Sequence, residues 1–317
     1  MKPSIGTKHS LISEFKDSFK DKRVLVTGAR GFIGKHVVNS LLELGASVQA
    51  SSRDWTGTVQ DDSNLHLLEC DLSNFQTTKE LVAQSRADII LHLAATVTAQ
   101  ERIELVVPTL NNIVVATVNL LMSATESNCQ QFVAVATPEE PINDLSAASP
   151  YAAAKQCASI YFKLFQERYG LPITVVRPFM TFGPGQESSK LIPHTILSLL
   201  RKVPPRLSDG DRECDFVYVQ DVVRGILKAS LIPASTTDPI DLGTGRQTSL
   251  KNLASQICTL LHTDVQPQFG VADVRQTREP MLADMDATLK SIEWTPQWEL
   301  EEALEETIRT YRETISV

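Results

Sequence analysis

The chain has 317 residues and a formal net charge of -8, from 30 Lys and Arg against 38 Asp and Glu. Hydrophobic residues make up 42% and charged residues 21%, which is typical of a globular protein and excludes a disordered chain, a collagen and a disulfide scaffold. The negative charge, and the lack of an unbroken apolar run of about 18–20 residues, predict no nucleic-acid and no membrane partner.

The N-terminal 20 residues lack the unbroken apolar segment and the small-residue cleavage site of a secretory signal. Their apolar residues at helix-like spacing are Leu11, Ile12, Phe15 and Phe19. This spacing predicts an amphipathic helix that packs on the body of the protein. The five cysteines form no CxxC pair and are odd in number, which favours a reducing compartment. We therefore expect a cytoplasmic protein, and we predict no metal site.

From residue 23 onwards, apolar strands alternate with amphipathic helices. The predicted strands are 23–26, 48–51, 65–68, 89–93, 132–136 and 173–176, and the predicted helices are 32–44, 77–84, 105–125, 151–169 and 300–314. Strands that are apolar on both faces and alternate with helices predict an α/β fold with a doubly wound parallel sheet. After about residue 178, proline and glycine become frequent and the segments shorten, which predicts a smaller second domain.

A Gly-rich loop, Thr-Gly-Ala-Arg-Gly-Phe-Ile-Gly over 27–34, joins the first strand to the first long helix. Glycines here allow a tight turn and let the backbone approach a pyrophosphate, which then faces the helix N-terminus. The flanking strand and helix favour a dinucleotide site of the Rossmann type over simple turn chemistry. The residues predicted to touch the cofactor here are Gly28, Arg30, Gly31, Phe32, Ile33 and Gly34.

The predicted domains follow from this motif and from the change of composition near residue 178. They are an N-terminal extension (1–20), a dinucleotide-binding Rossmann domain (21–178) and a C-terminal α/β substrate-binding domain (179–317), partly interleaved with the second.

The end of the second predicted strand sets the choice of cofactor. NAD enzymes place an acid there to bind the ribose hydroxyls, whereas this chain has Ser52 and Arg53. Serine and arginine suit a 2′-phosphate, and Arg30 lies near enough in the loop to help. NADP(H) is therefore favoured over NAD(H). Two alternatives remain: Asp54 takes the place of the acid, or the two arginines are solvated surface charges.

Tyr151 and Lys155 are spaced i, i+4 at the start of a predicted helix and so share one face. A nearby ammonium stabilises tyrosinate, so we expect Lys155 to lower the pKa of the Tyr151 phenol. A tyrosine tuned in this way exchanges a proton with an alcohol oxygen during hydride transfer. The spacing is common by chance, and its meaning comes from its place after the strand–helix series.

Together these motifs resemble the extended short-chain dehydrogenase/reductase family, in its nucleotide-sugar epimerase/dehydratase branch. The resemblance covers about residues 22–315. Besides the two motifs, the segments that carry it are 70–72, 91–95, 117–121, 177–186, 215–222 and 241–245. The resemblance implies that the cofactor also touches Asp71, Leu72, Leu93, Ala94, Ala95, Pro178, Tyr151 and Lys155. It further implies that Thr137 completes a catalytic triad with Tyr151 and Lys155; the alternative is an ordinary strand-end hydroxyl.

Two departures from the family pattern concern the substrate. Pro138 stands where 4,6-dehydratases have an aspartate, and it cannot protonate a leaving hydroxyl, whereas Glu139 remains as a possible base. Cys214 replaces an arginine that binds diphosphate. Arg212 is the expected substitute, and Arg275 matches a later phosphate-binding arginine. The predicted substrate-binding residues are thus Glu139, Arg212 and Arg275, although both arginines are equally compatible with a plain surface role.

The main prediction is an NADP-dependent oxidoreductase that reduces a nucleotide-activated keto-sugar at carbon 4. The alternative is a nucleotide-sugar epimerase with tightly bound NAD(P). Ranked below these are a 4,6-dehydratase, a reductase of a non-nucleotide carbonyl, and a cofactor-sensing protein without activity. Family resemblance also implies a homodimer formed through helices 105–125 and 151–169. Apolar residues suited to that interface, or to the core, are Val114, Val118, Ile160 and Phe162.

Overall fold

The computed structural model describes residues 11–58, 62–98, 100–141, 146–233, 238–271 and 282–315. Its strands are β1 (Arg23–Thr27), β2 (Ser47–Ser52), β3 (Leu65–Glu69), β4 (Ile89–His92), β5 (Gln131–Val135), β6 (Ile173–Pro178), β7 (Met180–Phe182), β8 (Glu213–Cys214), β9 (Phe216–Tyr218), β10 (Ile240–Leu242) and β11 (Thr248–Ser249). Its α-helices are α1 (Leu11–Glu14), α2 (Phe32–Glu43), α3 (Phe75–Ser85), α4 (Val106–Thr109), α5 (Ala116–Thr125), α6 (Pro150–Tyr169), α7 (Leu191–Leu200), α8 (Val219–Ala229), α9 (Leu250–Leu261), α10 (Met285–Ile292) and α11 (Leu300–Ile315).

A seven-stranded sheet has the order β10-β6-β5-β4-β1-β2-β3. The pairings of β1 with β2 and β4, of β2 with β3, and of β5 with β4 and β6 are all parallel. Leu25 of β1 belongs to a core shared with α3, α5 and α6, whereas its neighbours Val24 and Val26 are buried on the opposite face. Both faces of the sheet are therefore covered, and the predicted doubly wound α/β fold is confirmed.

The sheet brings the ends of three strands together, because parallel strands finish at one edge. Thr27, the last residue of β1, lies between Ser51 of β2 and His92 of β4 in the register. The loops that follow these strands therefore meet at this edge, and the Gly-rich loop is one of them.

The predicted helix 105–125 is a composite. A 3₁₀ turn (Ile103–Leu105) leads into α4, a π-helical stretch (Leu110–Val115) and α5. Pro108 lacks a backbone N–H, so the regular hydrogen-bond ladder cannot run unbroken through this segment. By length and composition alone the segment from Ile103 to Thr125 is apolar enough to cross a membrane, but 44% of its most apolar window is buried within the protein.

The described part of the N-terminal extension packs on the body as predicted. Between residues 11 and 22, the structure has helical backbone at Leu11–Glu14, and Asp17 and Asp21 after it take left-handed conformations at φ 62° and 61°, which do not continue a helix. Phe15 and Phe19 are nevertheless buried, at 2% and 0% exposure. Glu14 anchors the segment, since its carboxylate lies 3.3 Å from Arg224 and 3.2 Å from Lys228. Residues 1–10 lie outside the described part.

The chain divides into two compact units. The first contains residues 1–177 and 223–240, and the second contains residues 178–222 and 241–317. In the second unit, β7 pairs with β9 and β8 with β11. The Asp215 carboxylate organises that unit by accepting hydrogen bonds from the backbone N–H groups of Thr244 (2.8 Å) and Gly245 (2.9 Å).

Candidate active site

The Gly-rich loop packs tightly against the end of β4. Gly28 has a φ of +70°, and a Cβ atom there would lie 2.7 Å from the backbone of Ala94. A Cβ atom on Gly34 would collide with the Gly28 carbonyl oxygen. Only glycine fits at either position. No side chain therefore covers the backbone N–H groups of these two residues at the N-terminus of α2.

A cleft of about 300 Å³ opens beside this loop. Its walls combine the loop with the ends of β2, β3 and β4. The predicted cofactor residues that line it are Gly28, Arg30, Gly31, Ser52, Arg53, Asp71, Leu72, Leu93, Ala94 and Ala95. Phe32, Ile33 and Gly34, the last three residues of the Gly-rich motif, form the first turn of α2. The structure therefore gathers residues that are up to 67 positions apart in the sequence around one elongated site.

Asn112 also lines this cleft, although sequence reasoning did not single it out. It lies within the π-helical stretch, where the wider turn changes the direction of the side chains relative to an α-helix. The only sequence signal for this position is Pro108 four residues earlier, which shows that the helix is interrupted.

Arg30 is already engaged at the end of β2. Its Nη1 donates to the Asp54 carboxylate at 2.6 Å and to the Asp54 carbonyl at 2.8 Å, and its Nη2 donates to the Thr56 carbonyl at 3.2 Å. Hydrogen bonds from Thr56, together with Arg30, lower the pKa of Asp54 to about 2. Asp54 therefore neutralises Arg30, which weakens the predicted role of Arg30 on a phosphate. Arg53 makes a longer bond of 3.5 Å to Asn112.

His92 is buried at the end of β4, next to Leu93, which lines the cleft. Its two ring nitrogens lie 2.8 Å from the Thr27 hydroxyl and 3.0 Å from the Thr117 hydroxyl. Burial, and to a smaller extent the charge of Lys155, lower the pKa of His92 to about 3. The imidazole is therefore neutral at physiological pH. Its two hydrogen bonds join the ends of β1 and β4 to helix α5.

Thr137, Tyr151 and Lys155 lie together in the first unit, with exposures of 7%, 6% and 7%. Helix α6 begins just before Tyr151, because the Ser149 hydroxyl accepts the Ala152 N–H at 3.1 Å and Pro150 occupies the first turn. The Tyr151 hydroxyl hydrogen-bonds the Thr137 side chain. Lys155 lies one turn further on and donates to the Val135 carbonyl at 2.7 Å.

The expected lowering of the Tyr151 pKa is wrong for the protein without ligands. Burial is the largest influence and raises this pKa, as do the charges of Glu139 and Glu140, while the hydrogen bond from Thr137 opposes them. The i, i+4 spacing predicts the influence of Lys155 and contains no information on burial. Burial acts on that residue too, and lowers the Lys155 pKa to about 8.

The predicted substrate residues fall in different parts of the chain. Glu139 is half-buried beside the triad, and its backbone N–H donates to the Thr137 hydroxyl at 3.3 Å. Arg212 is half-buried in the second unit, where its carbonyl accepts the Leu250 N–H at 3.0 Å. Pro178, a predicted cofactor contact, is the first residue of that unit. Arg275 lies outside the described residues.

Comparisons with known proteins agree with this geometry. Residues 24–242 match the model of the NAD dependent epimerase/dehydratase family. The chain is 27% identical to a UDP-glucuronate 4-epimerase of Thermodesulfobacterium geofontis, across 92% of this chain and 97% of that protein.

Two solved structures with similar folds cover nearly the whole chain. A UDP-glucose 4-epimerase of Thermotoga maritima with UDP-glucose gives a TM-score of 0.82 at 25% identity, covering 92% of this chain and 99% of that one. A dTDP-glucose 4,6-dehydratase of Streptomyces venezuelae with NAD bound gives 0.83 at 25% identity, covering 93% and 98%.

Proposed function

The chain belongs to the NAD-dependent epimerase/dehydratase family, and from this premise we propose that it is a nucleotide-sugar epimerase, which inverts one sugar carbon without net oxidation. The observation that carries the proposal is the buried contact of Tyr151 with Thr137, one helical turn from Lys155 and in the same unit as the Gly-rich cleft. Similar proteins with 4-epimerase activity support it. This order reverses the sequence analysis, which placed a keto-sugar reductase first.

The cleft suits a nicotinamide dinucleotide. Because a Cβ atom is excluded at Gly28 and Gly34, the backbone N–H groups of the loop remain accessible to a pyrophosphate. Asp71 and Leu93 also line the cleft. When bound, such a cofactor supplies hydride transfer to and from the sugar carbon. The protein residues supply binding, orientation and proton transfer.

Tyr151 is the group that moves the proton. It takes the proton of the sugar hydroxyl in the first half of the reaction and returns it in the second. Burial keeps the phenol protonated in the free protein, which suits the return step. The forward step needs the Thr137 hydrogen bond and the Lys155 ammonium to offset that burial, and Thr137 also orients the reacting oxygen.

Dehydration fits the site less well. Elimination of water needs an acid beside the leaving hydroxyl, and Pro138 offers no proton at the position after Thr137. Glu139 remains as a base, but a base alone does not protonate a leaving group.

The proposal is tested by incubating the purified protein with UDP-, dTDP-, GDP- and CDP-sugars and separating the products by chromatography. We expect interconversion of two sugars that differ at one carbon, with no consumption of added NADPH or NADH. Stoichiometric loss of NADPH would identify the reductase instead, and a keto-deoxy product would identify a dehydratase.

The second candidate, an NADP-linked keto-sugar reductase, is favoured by one observation. Arg53 lines the cleft and makes a long 3.5 Å bond to Asn112, and the residue before it is Ser52 rather than an acid. This arrangement favours a 2′-phosphate, and we propose NADP(H) as the preferred cofactor within the NAD(P)-dependent family.

Replacing Arg53 with Ala tests the cofactor without any substrate. Because a charge-assisted hydrogen bond contributes about 1.5–3 kcal/mol, NADP(H) affinity should fall by about 10–100-fold while NAD(H) affinity stays within about twofold. Asp54→Asn should act in the opposite direction, because it releases Arg30 towards the phosphate. Calorimetric titration of both cofactors measures this, and equal losses for the two cofactors would refute the NADP preference.

We also propose a homodimer, formed by the 103–125 segment and α6, which pack against each other. Val114 and Phe162 are core residues at 8% and 2% exposure, whereas Ile160 is 64% exposed. Exposed apolar residues on the same two elements are Ile103, Val106, Val107, Leu110, Met122 and Leu164. A cluster of exposed apolar residues is typical of a protein–protein contact.

Ile160→Glu should therefore convert the dimer into a monomer, since a charge at the centre of an apolar interface is costly to bury. Leu289→Glu, at a 47% exposed apolar position of α10, is the matched control and should leave the mass unchanged. Sedimentation equilibrium distinguishes the two states. A wild-type protein that sediments as a monomer would exclude the proposal.

A further inference from the structure

Glu140 carries a pair of contacts that the proposed reaction does not yet use. Its carboxylate oxygens accept the Thr137 backbone N–H at 2.9 Å and the Ser159 hydroxyl at 2.7 Å. We propose that Glu140 is a positioning residue that clamps the catalytic Thr137 and ties the loop after β5 to helix α6. The inference rests on the proposed function, because it concerns the same Thr137, Tyr151 and Lys155.

The clamp closes a small ring of hydrogen bonds around Thr137. Glu140 donates its own N–H to the Thr137 carbonyl at 3.2 Å, and Glu139 donates its N–H to the Thr137 hydroxyl at 3.3 Å. Because the Glu140 carboxylate also accepts the Thr137 N–H, hydrogen bonds fix both the backbone and the side chain of Thr137. The hydroxyl is thereby held where it meets Tyr151.

Ser159 connects Glu140 to helix α6, which carries Tyr151 and Lys155. It lies four residues after Lys155 and eight after Tyr151, so the three residues share one side of α6. A bond from this side to the loop fixes the spacing between Thr137 and the Tyr–Lys pair. Small errors in such spacing are costly, because a shift of about 1 Å can reduce a rate by about 100-fold.

The charge of Glu140 acts on both catalytic partners. It raises the pKa of Lys155 against the larger effect of burial, and with Glu139 it raises the pKa of Tyr151. Tyr151 shares this face of α6 with Lys155, and His92 also lies near Lys155, but the pKa of His92 of about 3 leaves its imidazole neutral throughout the working range. Among the described residues, Glu140 is therefore the negative charge that stabilises the Lys155 ammonium.

Three variants separate the geometry from the charge. Glu140→Gln keeps an oxygen for the Thr137 N–H and an amide for Ser159 but removes the charge. Glu140→Ala removes both. Ser159→Ala removes only the tie to α6. Glu139→Gln is the matched control, since it neutralises the neighbouring acid that influences Tyr151 without an effect on Lys155.

Two measurements need no substrate. In hydrogen exchange, the Thr137 amide should exchange at least about 10-fold faster in Glu140→Ala and near the wild-type rate in Glu140→Gln. In NMR of protein labelled at the lysine ε-carbon, Lys155 is identified by loss of its signal in Lys155→Arg and should titrate near pH 8. Glu140→Gln should move this midpoint to lower pH, while Glu139→Gln and Ser159→Ala leave it in place.

In the epimerase assay, Glu140→Ala should lower kcat by about 10–100-fold with KM within about twofold, the usual effect of losing a partner that orients a functional group. Glu140→Gln should recover most of kcat at a lower pH optimum. The proposal is overturned if the Thr137 amide stays protected in Glu140→Ala, or if Glu140→Gln leaves the Lys155 midpoint unchanged. Failure of the epimerase assay alone would refute the proposed function and leave both substrate-free tests decisive.

Discussion

Replacing Tyr151 with Phe is expected to lower kcat for sugar interconversion by about 10²–10⁴-fold, the usual contribution of a positioned acid–base group. The ring keeps its buried place, so only the hydroxyl and its hydrogen bond with Thr137 are lost. Dinucleotide affinity should stay close to wild type, because the Gly-rich cleft is untouched. Steady-state kinetics and a cofactor titration on the same sample separate these effects.

Tyr169→Phe is the matched control for this result. Tyr169 is the last residue of the same helix and is 57% exposed, so removal of its hydroxyl should leave kcat unchanged. A Tyr151→Phe protein with full activity would remove Tyr151 from the reaction, and the proposed mechanism with it.

Gly28→Ala should abolish dinucleotide binding and lower the thermal stability of the protein. The left-handed backbone costs an alanine about 1–2 kcal/mol, and its Cβ atom would lie 2.7 Å from the backbone of Ala94. A backbone neighbour cannot move aside as a side chain does, so the loop or the end of β4 must shift. We expect at least about 100-fold weaker NAD(P) binding, measured by calorimetric titration.

Gly57→Ala separates the two causes. Gly57 has a similar φ of +74°, but no heavy atom of the described residues lies within 4 Å of the position that its Cβ would occupy. This variant should show only the backbone cost and keep its cofactor affinity. Binding by Gly28→Ala at wild-type strength would mean that the loop does not form the cofactor site.

Local patterns predicted much of the fold and of the site. The Gly-rich loop, the strand before it and the helix after it are neighbours in sequence, so spacing alone indicated their arrangement. Tyr151 and Lys155 are one helical turn apart and needed only the helix to share a face. The parallel sheet followed from strands such as Ile89–His92, which begins with three apolar residues and is buried on both faces.

Interactions between distant segments were beyond the reach of those patterns. The pairing of Arg30 with Asp54 depends on how β2 ends beside the loop, and 24 positions separate the two residues. The rise in the Tyr151 pKa depends on burial, which a motif does not record. The bond between Glu140 and Ser159 joins a loop to a helix across 19 positions, and neither residue belongs to a recognisable pattern.

The return of residues 223–240 to the first unit has a consequence for synthesis on the ribosome. Gln131, at the start of β5, donates to the Ala229 carbonyl at 3.4 Å, and Glu14 contacts Arg224 and Lys228. The N-terminal half of the nascent chain therefore cannot form these contacts until the residues about 50 positions after β6 have been synthesised. Until then its apolar surface is open to chaperones, and a gene truncated after residue 177 should yield an aggregation-prone protein.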